Sequence, residues 1–255
     1  MKVELLPLGV IPARAGSTRF PLKILASVAG KPLVQHVWEA AKRCSTLGDV
    51  IIATDSEKIA EVVRGFGATC VMTSSECQSG SDRVAVVARS HASPIVVNLQ
   101  GDEPLVCPRS VDLLVQALEA DPELGMATLA VRKQGVQELN DPNVVKVVFT
   151  HTGRALYFSR QPLAGSREAS FFKHIGIYAY RRDTLLQLCG WEPSALECTE
   201  KLEQLRALEH DISIKVIVVE ADTIAVDVPA DIARVEQHLN ARNNSSSFSQ
   251  DRAKR

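Results

Sequence analysis

The chain has 255 residues, of which 45% are hydrophobic and 23% are charged. This length and composition suit an α/β domain with a sizeable buried core. The 29 basic residues nearly balance the 30 acidic ones, so the formal net charge is −1. With a net charge this close to zero, the protein as a whole does not attract nucleic acid or an anionic membrane electrostatically. Any anion-binding site would have to be formed by a local group of basic residues.

The cysteines and the apolar stretches bear on the compartment. Six cysteines are scattered without a C-x-x-C pair or a metal-ligand spacing, which predicts reduced and mostly structural thiols. Each apolar stretch is much shorter than the roughly 20 residues that cross a bilayer. The N-terminal residues lack the apolar core and cleavage site of a signal peptide. We therefore expect a cytoplasmic protein without membrane insertion.

In the first half of the chain, short apolar runs rich in β-branched residues alternate with helical patterns. The runs predict buried strands at 8–11, 50–53, 69–72, 95–99 and 126–131. Apolar stripes predict helices that begin near Pro32, near Asp55 or Ser56, and near Val111. This alternation predicts an α/β fold with a doubly wound, mostly parallel sheet. Ligands of such sheets bind beyond the carboxyl ends of the strands.

The second half changes character. A hairpin is predicted from strands 144–150 and 155–158, and residues 171–180 alternate like an antiparallel strand. The remaining predicted elements are a helix over 198–208, strands at 214–219 and 224–226, and a helix from Pro229. We expect one domain over 1–239, with an antiparallel sub-region at about 140–182. Residues 240–255 are polar and are predicted to form a disordered tail.

A basic loop directly follows the first predicted strand. It spans 12–23 and combines three cations with three small residues: Arg14, Arg19 and Lys23 with Ala15, Gly16 and Ser17. Small residues let backbone N–H groups approach an anion, while the cations offset its charge. The loop contains neither a Walker motif nor a dinucleotide fingerprint. Its position after a buried strand favours an anion site over a solvated basic loop.

Two aspartates also follow predicted strands. Asp102 lies at the tip of the strand that ends near residue 99, where a buried carboxylate is costly unless a cation meets it. Mg²⁺ is the usual partner when phosphates are near. Asp227 stands between a strand and a helix that starts at a proline. Taken alone, Asp227 is more typical of a helix N-cap than of a metal ligand.

Several motifs follow the basic loop in a characteristic order. They are QSGSDR (78–83), QGDEP (100–104), NDPNVVKVV (140–148), ALYFSR (155–160), HIGIYAYR (174–181), LEQLRAL (202–208) and VDVPADI (226–232). Together they resemble the CMP-KDO synthetases, or 3-deoxy-manno-octulosonate (KDO) cytidylyltransferases, over about residues 8–239. CMP-sialic acid synthetases share a version of the basic loop but not the HIGIYAYR and EQLR motifs.

The resemblance implies a nucleotidyltransferase of the Rossmann-like α/β type, with a smaller antiparallel insertion for dimerisation and sugar binding. The implied reaction joins CTP to KDO with Mg²⁺, releases diphosphate, and serves lipopolysaccharide biosynthesis in a homodimer. The implied catalytic residues are Lys23, Arg19, Asp102 and Asp227, of which the two aspartates bind Mg²⁺. The implied nucleotide-binding residues are Arg14, Arg19, Lys23, Gln78, Ser79 and Arg83. The implied KDO-binding residues are Gln100, Arg160, His174, Tyr178, Glu203 and Gln204.

Two departures from the family pattern concern the loops. Leu22 replaces a glycine before Lys23, and Ile24 replaces a proline after it, which changes loop stiffness and bears on sugar preference. Ser74 and Glu76 stand where arginine and aspartate are more common in the family. These departures leave the proposed metal ligands and phosphate cations in place.

Two other functions remain open from the sequence. The protein could activate another sugar acid, such as a sialic acid or an amino-sugar relative of KDO, and turnover with each sugar separates these cases. Alternatively, it could be a non-catalytic nucleotide-binding protein on the same fold. Retention of Lys23, Asp102 and Asp227 argues against that second function.

Overall fold

The computed structural model describes residues 5–16, 20–163 and 170–252, with side chains up to residue 241 in the last helix. The strands are β1 (Leu8–Ala13), β2 (Ser27–Val28), β3 (Lys31–Pro32), β4 (Val50–Thr54), β5 (Thr69–Met72), β6 (Ile95–Asn98), β7 (Met126–Gln134), β8 (Lys146–Phe149), β9 (Ala155–Ser159), β10 (Ser170–Arg181) and β11 (Ile214–Val219). The helices are α1 (Leu33–Ala41), α2 (Glu57–Gly65), α3 (Gly80–Arg89), α4 (Pro108–Ala120), α5 (Val136–Asn140), α6 (Arg182–Leu188), α7 (Ala195–Glu200), α8 (Gln204–Glu209) and α9 (Ala230–Arg252).

One mixed sheet organises the described chain. Its strand order is β11-β7-β10-β6-β1-β4-β5, and the hairpin β8–β9 joins it through β10. Strands β6, β1, β4 and β5 are parallel, and so is the pair β11 and β7. Between these two parallel groups, β10 runs antiparallel to both neighbours. The predicted fold class, a mostly parallel α/β sheet with a smaller antiparallel part, is confirmed.

Helices cover both faces of the sheet. On one face, α1, α2 and α4 pack onto alternate strand residues such as Ile11, Ile52 and Val97, which are fully buried. On the other face, α3, α6 and α8 pack onto the intervening residues, such as Val10 and Val96. Because side chains alternate along a strand, each strand supplies both cores and therefore reads as a continuous apolar run. None of the described helices is long and apolar enough to span a membrane.

Some predicted elements differ from the structure. The helix predicted over 198–208 is two helices, α7 and α8, because Lys201 takes a left-handed conformation with φ 55° and ends α7. The stretch 224–226 is not a strand, although the Val226 N–H donates to the Asp102 carbonyl at 2.9 Å. Helix α3 was not predicted as a helix, although Ser79 and Asp82 form the capping box that begins it.

The polar C-terminal stretch also differs from its prediction. Disorder was predicted from Asn240, whereas the backbone of α9 is helical to Arg252. Once a helix is nucleated, each further residue adds one hydrogen bond and fixes only its own backbone, so extension needs no apolar stripe. The packed part of α9 lies earlier, where Val235 is fully buried against Val28 and Leu33.

Candidate active site

An open cleft of about 1220 Å³ lies along the carboxyl end of β6 and the middle of β10. Its walls come from the start of α3, the loop after β6, strand β10, helix α8, and the segment after β11. The parallel strands end here, as expected for a ligand site in an α/β sheet. Predicted site residues that line it are Gln100, His174, Tyr178, Glu203, Gln204 and Asp227.

Lys23 joins the two predicted metal ligands beside this cleft. Its Nζ lies 2.5 Å from Asp102 Oδ2 and 3.2 Å from Asp227 Oδ1. Burial alone would lower the pKa of Lys23, but the two carboxylates outweigh it and raise the pKa above its usual value. The three side chains come from sequence positions up to 204 residues apart, so only the fold assembles them.

A close backbone approach places Asp102. A Cβ atom on Gly101 would lie 2.9 Å from the Pro12 carbonyl oxygen and 3.1 Å from Ile24 Cδ1. Only glycine fits at such distances, so the loop after β6 can pack directly against the end of β1. This packing brings Asp102 next to Lys23, which begins a 3₁₀ turn over Lys23–Leu25.

The donor set at this point fits a divalent cation. Asp102 and Asp227 both direct a carboxylate oxygen at one positive charge, the Lys23 ammonium. Hard oxygen ligands of this kind suit Mg²⁺, which is commonly held by one or two carboxylates with phosphate oxygens and water. The described residues contain no larger His, Cys, Asp or Glu cluster suited to a metal. The role of the pair as metal ligands stays a prediction.

The basic loop is described in part. Arg14 follows β1 and is exposed, whereas Arg19 and Ser17 lie outside the described residues. Leu22 takes a left-handed conformation with φ 53°, the region that favours glycine, at the position where the family pattern has a glycine. Leu22 therefore adopts a backbone conformation that suits glycine, and this costs about 1–2 kcal/mol of conformational energy for a residue with a side chain.

The stretch 78–83 forms the start of α3. Ser79 is its N-cap: the Asp82 N–H donates to Ser79 Oγ at 3.1 Å, and the Ser79 N–H donates to Asp82 Oδ2 at 3.0 Å. Gln78 is exposed and donates to the Glu76 carbonyl at 3.0 Å. The residues of this stretch that line the cleft are Gly80 and Ser81.

Arg83 lies inside the protein, with 2% of its surface exposed. Its guanidinium donates to Asp55 Oδ2 at 2.8 Å and also to Thr73 Oγ1. The other oxygen of Asp55 accepts from the Ala15 N–H at 3.0 Å. Arg83 thus fixes the start of the basic loop through Asp55, and it is not among the residues that line the cleft.

An irregularity in β10 shapes the end of the cleft that contains His174 and Tyr178. Ile175 pairs with Leu129 and Tyr178 pairs with Thr128, so β10 advances three residues while β7 advances one. The Thr128 hydroxyl lies 3.2 Å and 2.9 Å from the carbonyl oxygens of Ile175 and Ile177 and stabilises the bulge. Two extra residues preserve the alternation of side chains, so His174 and Tyr178 both line the cleft.

His174 and Tyr178 are held in neutral form. Burial lowers the pKa of His174 to about 3 and raises the pKa of Tyr178 well above 10. His174 Nε2 lies 2.9 Å from Thr128 Oγ1, and its ring packs edge-on against Phe158 at 5.0 Å between centroids. A neutral imidazole and a neutral phenol suit hydrogen bonding to uncharged hydroxyl groups.

The other predicted sugar-binding residues divide into two groups. Gln100, Glu203 and Gln204 line the cleft, and Gln100 Nε2 donates to the Gly176 carbonyl at 3.0 Å. Arg160 is not among the lining residues, because its guanidinium donates to main-chain carbonyls. These acceptors are Glu200 at 2.9 Å, Pro142 at 3.0 Å and Lys201 at 3.4 Å. An interaction of Arg160 with the sugar carboxylate stays a prediction.

Sequence reasoning missed several residues of the site. Glu103 and Asn98 line the cleft, and both are buried. Burial raises the pKa of Glu103 to about 7, with a further contribution from the adjacent Asp102. Both residues belong to the stretch 98–104 that marked Asp102, so their proximity to the site was available from the sequence. Asp55 and Thr128 gave no such signal, because their contacts depend on neighbouring strands.

Comparison with known proteins gives consistent matches. The cytidylyltransferase family model matches residues 8–214. A 3-deoxy-manno-octulosonate cytidylyltransferase from Pelobacter propionicus is 45% identical over 91% of this chain and 96% of its own length. A protein of the same name from Solibacter usitatus is 46% identical over 92% of this chain and 94% of its own length.

Solved structures agree with the sequence matches. A CMP:2-keto-3-deoxy-manno-octonic acid synthetase complexed with CTP is 39% identical and superposes with a TM-score of 0.88, over 93% of this chain and 99% of that chain. A 4-diphosphocytidyl-2C-methyl-D-erythritol synthase from Anaerococcus prevotii, 12% identical with a TM-score of 0.63 over 92% of this chain and 96% of that chain, shares the fold alone. On these grounds the chain belongs to the 3-deoxy-manno-octulosonate cytidylyltransferase family.

Proposed function

We propose that this protein transfers CMP from CTP to KDO, giving CMP-KDO and diphosphate for lipopolysaccharide biosynthesis. The observation that carries the proposal is the juxtaposition of two kinds of subsite. Beside the cleft, Lys23 contacts Asp102 and the lining residue Asp227. The cleft itself holds neutral polar groups such as His174 and Tyr178, which form its proposed sugar end. Family membership at about 45% identity supports the same reaction.

The reaction is a substitution at the α-phosphorus of CTP. The anomeric 2-hydroxyl oxygen of KDO forms a bond to this phosphorus, the bond to the β-phosphate oxygen breaks, and the hydroxyl proton passes to solvent. Catalysis of phosphoryl transfer depends mainly on positioning and charge stabilisation. Lys23 and Arg14, both on the loop after β1, would offset the negative charge of the departing diphosphate.

We propose Mg²⁺ as the cofactor, held by Asp102 and Asp227. A metal held there would supply positive charge for the phosphates and Lewis acidity for the attacking hydroxyl. Lys23 keeps the two carboxylates close together in the free enzyme, since it contacts both. Gln100 and Glu203 line the cleft and would orient the sugar.

A diphosphate-release assay tests the proposal. The purified protein is incubated with Mg²⁺ and each of CTP, UTP, ATP and GTP, in combination with KDO, its amino-sugar relative or a sialic acid. We expect turnover with CTP and KDO to exceed every other combination. Preference for another sugar acid would identify a different cytidylyltransferase, and absence of diphosphate release with all combinations would indicate a nucleotide-binding protein without this activity.

We further propose that the protein acts in the cytoplasm as a homodimer assembled through the hairpin β8–β9. Exposed apolar side chains support the use of this surface: Leu156 on β9 and Val218 on β11 are 53% and 48% exposed. Sedimentation equilibrium of the wild type and of Leu156→Asp tests this assembly. A dimer that dissociates in the variant is expected, and a monomeric wild type would contradict the proposal.

A further inference from the structure

Four buried polar atoms on the wall of the cleft have no hydrogen-bond partner within the described part of the chain. One of them, Glu138 Oε2, is in an ion pair with Lys133 Nζ at 3.2 Å. The other three are Asn98 Oδ1, Glu103 Oε2 and Gln204 Nε2, on side chains with 1%, 8% and 4% exposure. Leaving a buried polar atom unpaired is costly, and more so for a carboxylate, so each requires an explanation. A ligand in the cleft supplies one. Of these three, Glu103 carries the greatest charge and is the most informative.

The Glu103 carboxyl group lies near Thr223 and Gly176. The side chain of Thr223 is close enough to lower the pKa of this carboxyl group, against the larger effect of burial. Glu103 Oε1 also lies 3.9 Å from the position that a Cβ on Gly176 would occupy. Gly176 lies between His174 and Tyr178 in the β10 bulge, so Glu103 faces the sugar end of the cleft.

A group of ion pairs fixes the segment that lies beside Glu103. Lys173 Nζ donates to Asp222 Oδ1 at 2.8 Å and to the Thr223 carbonyl at 3.1 Å, and Lys133 Nζ donates to Asp222 Oδ2 at 3.0 Å. Burial would raise the pKa of Asp222, but the two lysines outweigh it and keep the carboxylate ionised. Strands β7 and β10 therefore hold Thr223, next to Glu103, in place. A buried acceptor with fixed surroundings is preorganised for a ligand.

We infer that Glu103 is a sugar-binding residue whose Oε2 accepts a hydrogen bond from a hydroxyl of the sugar acid. This inference rests on the proposed function. A hydroxyl is the appropriate donor, because the carboxylate of a sugar acid would be repelled by Asp102 and Glu103 together. Glu103 thereby adds an acceptor to a pocket in which Gln204 Nε2 supplies an unpaired donor.

The test is kinetic and uses the full chain with Mg²⁺, CTP and KDO. Glu103→Gln keeps size and shape but replaces one acceptor oxygen by an amide donor. Glu103→Ala removes the group. We expect KM for KDO to rise about 10–100-fold in both, the range for a lost hydrogen bond to a charged group. KM for CTP should stay within about twofold, since Glu103 lies beside Gly176 at the end of the cleft that contains His174 and Tyr178.

Asp112→Asn is a matched control. Its two oxygens accept four hydrogen bonds from Ser45 and Thr46, away from the cleft, so this carboxylate is fully paired. Asp112→Asn should lower the melting temperature and leave both KM values unchanged. Glu103→Gln should show the opposite pattern, with a melting temperature at least as high as the wild type, because it no longer buries an unpaired carboxylate.

Deoxy analogues of KDO identify the hydroxyl. For the analogue that lacks it, KM should be equal in the wild type and Glu103→Gln. The inference is overturned if KM for KDO is unchanged in both Glu103 variants, or if no analogue removes the difference between wild type and variant. It is also overturned if Mn²⁺ affinity falls by the same factor, which would assign Oε2 to the metal's hydration shell. A wild type that releases no diphosphate would instead refute the proposed function.

Discussion

The two proposed subsites treat buried polar groups in opposite ways. At the proposed nucleotide end, beside the cleft, Lys23 is paired with Asp102 and Asp227, and Arg83 is paired with Asp55 behind the basic loop. At the proposed sugar end, polar atoms of buried side chains are left unpaired. The first arrangement would keep charges compensated until a charged ligand exchanges with them. The second leaves a desolvation cost that a bound ligand with hydroxyl groups would offset.

This difference has a consequence for mutations. At the nucleotide end, a mutation that removes one charge leaves the partner charge uncompensated, so it is expected to lower both turnover and stability. At the sugar end, removing an unpaired atom relieves the free protein and harms only the complex. The following predictions test this contrast, in order of decreasing expected effect.

The largest effect is expected for the aspartates. Asp102→Asn and Asp227→Asn should each reduce diphosphate release by at least about 10²–10³-fold, because each removes a negative charge proposed to hold Mg²⁺. Circular dichroism should show an intact fold. EDTA should mimic both variants, and added Mg²⁺ should restore only the wild type. Full activity of either variant at saturating Mg²⁺ would show that its carboxylate only pairs with Lys23.

Lys23 comes next. Lys23→Ala should slow turnover by about 10²–10³-fold, the scale for removing one charge-stabilising group. Lys23→Met retains the apolar stem, so equal inactivity of Met and Ala would assign the effect to charge. Arg19→Lys should also be impaired, because a point charge does not replace a forked guanidinium on phosphate. Binding of KDO in the absence of nucleotide, measured calorimetrically, should change little in these variants. If Lys23→Met turned over at the wild-type rate, the charge of Lys23 would not be needed, and the loop would have only a structural role.

Arg83 separates a positioning role from nucleotide contact. Arg83→Met leaves the Asp55 carboxylate, only 14% exposed, without its main partner, so unfolding free energy should fall by about 3–5 kcal/mol. Asp55→Asn added to this variant should recover part of the loss. Urea unfolding measures both. A variant with native stability and a raised KM for CTP would instead support the direct nucleotide contact implied by family resemblance.

His174 predicts a pH dependence of stability. Its folded pKa of about 3 lies below the unfolded value of 6.5, so the native state binds fewer protons than the unfolded state between these values. The contribution is complete above pH 6.5 and is lost as pH falls, by about 2 kcal/mol at pH 5. Urea unfolding at pH 8 and pH 5 should show this loss in the wild type but not in His174→Gln. Parallel losses in both proteins would show that His174 titrates normally.

The smallest effect is expected at the C-terminus. Deleting residues 244–255 should leave turnover and melting temperature nearly unchanged, because this polar stretch has little apolar surface to bury. Thermal unfolding of the full and shortened chains checks this. A drop of several degrees would show that the end of α9 docks on the rest of the protein.

The sequence was most informative where the physical cause is local. The inner strands of the parallel sheet were predicted because β-branched runs between turn signals have few other solutions. The strand at 69–72 was predicted at the right residues, but the prediction that it is buried was wrong, because β5 is the edge strand and Thr69 and Met72 are exposed. The basic loop and Asp102 were found because they follow such strands. The break between α7 and α8 was missed, since the apolar spacing over 198–208 continues through Lys201 and only the backbone at φ 55° interrupts it. Strand and loop prediction therefore needed no tertiary information, while the helix break did.

The roles of individual residues were harder to predict. Arg83 ends a motif that suggests ligand contact, but it is paired with Asp55, 28 positions earlier and in another loop. The surroundings of Glu103 likewise include Thr223 and Gly176, which come from distant segments. Residue types therefore located the site, whereas the partners of each side chain were set by strand order and register.

The ion pairs of Lys23 have a consequence for synthesis of the chain. Lys23 is made early, Asp102 near the middle and Asp227 close to the end, so the ribosome completes the set only when about nine-tenths of the protein exists. Strand β11, which pairs with β7, also emerges late. On the proposed roles of these residues, a nascent chain that lacks Asp227 is inactive even when β1, β4, β5 and β6 have all been made. Turnover would begin only after the segment that carries Asp227 has packed against the rest of the sheet.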